Sequence, residues 1–178
     1  MRDMQEEQFV LSVLVTNHFG VLTRVSGLFA RRGYNIDSLT VGETENTRLS
    51  RMTIVATGDE RTKDQIMKQL AKLHDVHKIE MMEPGNTIIR ELMMVKIHAE
   101  TDKRTEIMDA VKVFRAKVVD LSPEVISAEL TGEKSKLDAF VEYVRQYGIM
   151  ELCRTGVAAI ARGTSCMDSK NIILNKGE

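Results

Sequence analysis

Six side chains offer the most obvious chemistry in this 178-residue sequence: His18, His74, His77, His98, Cys153 and Cys166. A helical metal site needs ligands on one face, typically four residues apart, and no two of these histidines have that spacing. His74 and His77 are three apart but straddle an expected helix-to-strand boundary, so solvated or capping roles fit them better. The two cysteines have no second pair with which to build a zinc or redox site, and Cys153 reads best as a small buried hydrophobe. No Walker A loop, G-x-G-x-x-G or G-x-S-x-G is present. The sequence therefore predicts no catalytic residue and no metal ligand of its own.

One short stretch remains chemically suggestive, Asn17-His18-Phe19-Gly20, between an apolar run and an amphipathic one. The first backbone N–H groups of a helix lack partners and carry the positive end of its dipole, so a small carboxylate can sit there. Gly20 allows close approach to the backbone. Asn17 offers both a donor and an acceptor, and its commonest role at this place is to cap the helix.

The elements that position this loop follow from periodicity. Phe9 to Val15 is a β-branched apolar run too short for a typical helix, so it reads as a buried strand. Val21, Leu22, Val25, Leu28 and Phe29 fall on one helical face, and Arg31-Arg32-Gly33 supplies a cationic last turn and a stop. Asn35 to Val41 and Leu49 to Thr57 read as a hairpin. Thr62 and Gln65 have capping-box spacing ahead of the stripe Ile66, Met67, Leu70 and Leu73. Val76 to Met82 closes a first βαββαβ unit.

Glu83-Pro84-Gly85-Asn86 is the strongest linker signal, and the order then returns. Leu92 to His98, a helix marked by Ile107, Met108, Val111 and Phe114, strands at Lys117 to Leu121 and Val125 to Leu130, a stripe at Leu137, Phe140, Val141 and Val144, and an extended run within Ile149 to Ile160 make a second βαββαβ. The expected fold is α+β: two ferredoxin-like units, at 1–83 and 88–162, joined by a linker at 84–87 and followed by a tail at 163–178. The Ile172-Ile173-Leu174 patch in that tail could dock on something. Leu39, Val41, Met52 and Ile54 suggest apolar character on both faces of the first sheet, and hence association.

Composition narrows the function. With 25 Lys plus Arg against 26 Asp plus Glu, the net charge of −1 lacks the cationic footprint of a nucleic-acid binder. An RNA-recognition motif shares the βαββαβ order but stacks bases on aromatic residues of its third strand, and Leu49 to Val55 has none. Arg24, Arg31 and Arg32 read as a solvated helix face. No apolar run approaches the roughly 18 residues of a spanning helix, and the first residues are acidic and polar, so no membrane association and a cytoplasmic location are expected.

The runs Asn17-His18-Phe19-Gly20-Val21-Leu22-Thr23-Arg24-Val25, Arg32-Gly33-Tyr34-Asn35-Ile36-Asp37-Ser38-Leu39-Thr40-Val41 and Leu49-Ser50-Arg51-Met52-Thr53-Ile54 resemble the ACT domain of the small regulatory subunits of acetolactate synthase. The likeness extends through Arg90 to Ile97, Lys136 to Phe140 and Arg154 to Val157, covering nearly the whole chain. His18-Phe19 departs from the acidic residue followed by Ser or Pro often found there. The resemblance implies a first unit that is an ACT domain and a homodimer formed through it, with a branched-chain amino acid such as valine or isoleucine bound at the interface. It implies that Asn17, Gly20, Val21 and Leu22 receive the effector, that Asn35 comes from the partner chain, and that Thr40 and Val41 shape the apolar end. It further implies a catalytic large subunit as partner, carrying thiamine diphosphate, magnesium and FAD, which this chain activates and subjects to feedback inhibition. A stand-alone amino-acid-sensing ACT protein is the alternative.

Overall fold

The computed structural model describes residues 6–167. They form two four-stranded antiparallel sheets in two compact units, each with two helices. Among the described residues one unit comprises 6–88 together with 157–167, and the other is Ile89–Gly156. The expected βαββαβ order appears in both.

In the first unit β1 (Glu7–Thr16), α1 (Val21–Arg32), β2 (Ser38–Glu43), β3 (Leu49–Gly58), α2 (Glu60–Leu70) and β4 (Val76–Met81) give the spatial strand order β2-β3-β1-β4. Register pairs Leu11 with Ile54 and Val13 with Met52, which sets Leu11, Val13, Val15, Met52, Ile54 and Ala56 on one face. Val21, Val25, Leu28 and Phe29 of α1, with Ile66 and Leu70 of α2, pack on that face. The helix ends follow local chemistry. Gly33, at φ 71°, terminates α1 through backbone bonds to the carbonyls of Phe29 and Ala30, made by Tyr34 and Gly33. The cap of α2 is Asp59, which accepts from the Thr62 amide at 2.7 Å, rather than the expected Thr62. The carboxylate enters one turn earlier and takes the donor itself.

Two expectations about the first sheet are corrected. Leu39 lies opposite Ile54 and Val41 opposite Met52, so these four share the helix-bearing face instead of dividing between the two faces. The outer face is covered by the chain's own C-terminal segment. Leu14 and Leu49 pack with Met167, and Ser12 Oγ lies 3.5 Å from its sulfur. Val157 N donates to Ser38 Oγ, and Arg51 Nη1 to the Ala159 carbonyl. Part of the segment expected to be a tail is thus integral to the first unit, while the Ile172-Ile173-Leu174 patch lies outside the described residues.

The second unit orders its strands β6-β7-β5-β8, from β5 (Thr87–His98), α3 (Arg104–Val113), β6 (Lys117–Leu121), β7 (Val125–Gly132), α4 (Lys134–Val144) and β8 (Ile149–Ala161). Met93, Val95, Ile97, Ile126, Ala128 and Leu130 meet Ile107, Val111, Leu137, Phe140 and Val144 in its core. β8 passes Gly156, at φ 81°, where its membership changes from the second unit to the first. Cys153 is exposed on this edge strand, not buried as its type suggested, and Cys166 is exposed too.

Met167→Ala removes the cover over two fully buried leucines. The expected cost is about 2 kcal/mol, toward the low end for a methionine truncation because the site borders solvent. The denaturation midpoint should fall with an unchanged slope.

Candidate functional site

The loop after β1 is held by three hydrogen bonds to the end of β2 and the connection that follows it, all distant in sequence. Asn17 N donates to the Arg48 carbonyl at 2.7 Å, and Asn17 Nδ2 donates to Glu43 Oε1 and to the Thr47 carbonyl, both at 2.9 Å. Both partners of Nδ2 are obligate acceptors, so the orientation of this amide is fixed and its Oδ1 becomes the polar atom left for a ligand. Asn17 does not cap α1. Gly20 is the N-cap, at φ 85° and ψ −10°, and among the described residues no side chain bonds the first-turn amides. Those amides belong to Val21, Leu22 and Thr23, since Arg24 N already donates to the Gly20 carbonyl. A helix N-terminus without a side-chain cap is suited to accept a carboxylate.

Beneath the loop lies Asp75, from the connection between α2 and β4, its side chain only 10% exposed. Oδ1 is 3.0 Å from His18 Nε2, Oδ2 accepts from Arg24 Nε at 2.6 Å, and its carbonyl accepts from Thr16 N at 2.9 Å. Burial pushes the Asp75 carboxyl up, but the hydrogen bond and charge of Arg24, with His18, outweigh it and hold the group below the ordinary carboxylate value. His18 Nδ1 is 2.7 Å from the Phe19 carbonyl, so both ring nitrogens face acceptors. Beside this cluster Thr16 Oγ1 and His77 Nε2 are 2.8 Å apart. Burial, then the charge of His74, pushes the His77 imidazole down.

Asn17, Gly20, Val21 and Leu22 are brought together by chain contiguity, with Val21 buried and Leu22 46% exposed. Asn35 is not with them. It follows the C-terminal end of α1, whose twelve residues at about 1.5 Å rise span roughly 18 Å. Its Nδ2 donates to Asp37 Oδ1 at 2.7 Å, and Asp37 Oδ2 also accepts from Thr57 and Gln8. The Thr57 bond holds the Asp37 carboxyl below the ordinary value, with burial opposing and Gln8 and Asn35 adding. Thr40 and Val41 point to opposite faces of β2, because side chains alternate along a strand. Val41 shares a side with Glu43, whose carboxylate bonds Asn17, whereas Thr40 lies on the outer face.

Sequence reasoning missed Glu43 and Asp75, and it set Arg24 aside as solvated. The corresponding loop of the second unit, Ala99 to Lys103, is built differently. It borders a polar cavity of about 240 Å³ lined by His98, Glu100, Lys103, Glu106, Gln146 and Tyr147. Among the described residues no three His, Cys, Asp or Glu side chains gather into a metal-holding group, and no helix is long and apolar enough to cross a membrane.

The first unit is a ferredoxin-like unit with a glycine at an uncapped helix N-terminus after its first strand, and its residues 11–78 match the acetolactate synthase small subunit-like ACT domain, which makes it an ACT domain. Residues 90–163 match the family model described as the small subunit of acetolactate synthase. The chain belongs to the family of acetolactate synthase small subunits. A probable small subunit from Methanothermobacter thermautotrophicus is 48% identical over 168 residues, 94% of this chain and all of that one. The isozyme 3 small subunit of Escherichia coli is 44% identical over 159 residues, 89% of this chain and 98% of its own. The crystal structure of the Thermotoga maritima small subunit superposes with a TM-score of 0.83 at 41% identity, covering 89% of this chain and 99% of that one.

Asp75→Asn removes one charge from a cluster whose two cations are half exposed, so the expected loss at neutral pH is about 1–2 kcal/mol. Because the folded-state carboxyl is held below its unfolded value of 3.8, its contribution is fully present above that value. It is lost as pH falls through the depressed value, so the variant should show a flatter acid limb in stability against pH.

Proposed function

We propose that this chain is the regulatory partner of a catalytic large subunit, raising its activity and making it respond to valine or another branched-chain amino acid. The observation that carries the reading is the uncapped first turn of α1 beside an amide of fixed orientation. Three backbone donors suit a carboxylate, and the Asn17 carbonyl oxygen suits an ammonium, which together describe an amino acid rather than a simple acid. Leu22 and Val41, both exposed, offer an aliphatic side chain apolar contact.

The length of α1 favours a site completed by two chains. Asn17 and Asn35 sit beyond opposite ends of the helix, so an effector touching both draws them from different protomers of a homodimer. Thiamine diphosphate, magnesium and FAD belong, in this reading, to the large subunit, and the complex works in the cytoplasm. Burying an aliphatic side chain is worth roughly 1.5–3 kcal/mol and each charge-assisted hydrogen bond about as much, before association costs. Micromolar to millimolar affinity follows. Feedback requires that the ligand favour one arrangement of the dimer, and a coupling of about 1–3 kcal/mol changes linked affinity roughly 5- to 150-fold.

Asn17→Ala and Asn35→Ala should each abolish the valine response of the reconstituted enzyme while leaving activation of the large subunit intact. Normal valine inhibition in both variants would remove the site assignment. Failure of the full chain to raise large-subunit activity at all would remove the regulatory reading.

A further inference from the structure

The guanidinium of Arg24 has two sides, and Asp75 uses one of them. Nε donates to Asp75 Oδ2 at 2.6 Å, while Nη1 lies 3.4 Å from where a Cβ on Gly20 would stand. An arginine carries five N–H donors in a planar fork. Among the described residues none of the Nη hydrogens reaches an acceptor, although the side chain is only 47% exposed and is held against the glycine loop. The other oxygen of Asp75 faces His18, so both carboxylate oxygens are engaged. The result is a guanidinium committed to Asp75 through Nε, with its Nη donors uncommitted at the place where the first-turn amides of α1 are also uncommitted.

From this geometry we infer that Arg24 is a specificity-determining residue of the effector site. Its Nη edge receives the effector's carboxylate together with the α1 amides, and Asp75 positions it through Nε. The inference rests on the effector reading given above and deepens it. The aspartate sets the guanidinium plane and helps to exclude other rotamers, since a side chain with this much rotamer freedom loses affinity unless something pre-orders it. A planar fork fits a carboxylate with two parallel bonds, which an amide of the same shape cannot provide. The site therefore selects for the charged acid and against its neutral derivative. His18, which supports the opposite oxygen of Asp75, helps hold the same arrangement from the loop side.

The test is a calorimetric titration of the full chain with valine and with valinamide, which keeps the ammonium and the side chain but lacks the anionic carboxylate. The wild-type chain should prefer valine by well over tenfold. Arg24→Gln should lose affinity for valine by on the order of tenfold or more while binding valinamide as the wild type does, so that the preference collapses. A residue that merely supported the fold would weaken both ligands equally, and either that result or an unaltered preference overturns the inference. Asp75→Asn keeps the cation but frees it, and should reduce the same preference by a smaller factor. It carries the test if Arg24→Gln does not fold, and a full wild-type preference in Asp75→Asn would overturn the positioning role. Binding of neither ligand to the wild-type chain would overturn the effector reading itself, and this inference with it.

Discussion

A carboxylate nine-tenths removed from water must find its cations nearby, and in the first unit that requirement gathers the end of β1, the loop after it and the start of α1 around Asp75. The residue arrives from the connection between α2 and β4, yet its partners are the last residue of β1, the loop that follows and the first turn of α1. Leaving it unpaired would cost the desolvation of a buried charge, so the loop, the helix start and the connection from α2 to β4 are held in one arrangement. That arrangement leaves the helix end open. Gly20 adopts a left-handed backbone without strain, no side chain caps the turn, and the nearest amide, Asn17, is spent on Glu43 and Thr47 instead.

The same logic explains why a pre-formed site can be specific while remaining reversible. Both hydrogens of the Asn17 amide go to acceptors, so the group cannot turn to present a donor. An incoming molecule meets fixed N–H groups at one side and a fixed carbonyl oxygen at the other. In the proposed effector site, specificity would then come from the pattern of donors and acceptors, and the half-exposed apolar residues around the loop would keep the affinity modest.

Much of this fold was legible in the sequence because its signals are local. The stripe from Val21 to Phe29 and the glycine after Arg32 define α1 without help from the rest of the chain, and both βαββαβ orders could be read from such runs. The glycine loop was legible for the same reason, being contiguous. What escaped was long-range. Asp75 meets Arg24 across 51 positions, Glu43 meets Asn17 across 26, and Met167 meets Ser12 across 155. No local pattern announces such pairs. Periodicity assigned Arg24 to a face of its helix but could not say that a buried acid lay against it. Cys153 was misjudged because residue type predicts burial on average, whereas an edge strand exposes what it carries. Alternation alone set Leu39 and Val41 on one side of β2, but only register showed that Met52 and Ile54 share that face.

In the proposed site the first turn of α1 receives the carboxylate of a branched-chain amino acid. Backbone amide resonances of the isotope-labelled full chain, followed during a valine titration, test it most directly. If the carboxylate sits there, the Val21, Leu22 and Thr23 amides should show saturable shifts larger than those elsewhere in the first unit, with none in the second unit's loop at Ala99 to Lys103. Saturable shifts confined to that second loop, or a full titration that leaves the three α1 amides unmoved, would contradict it.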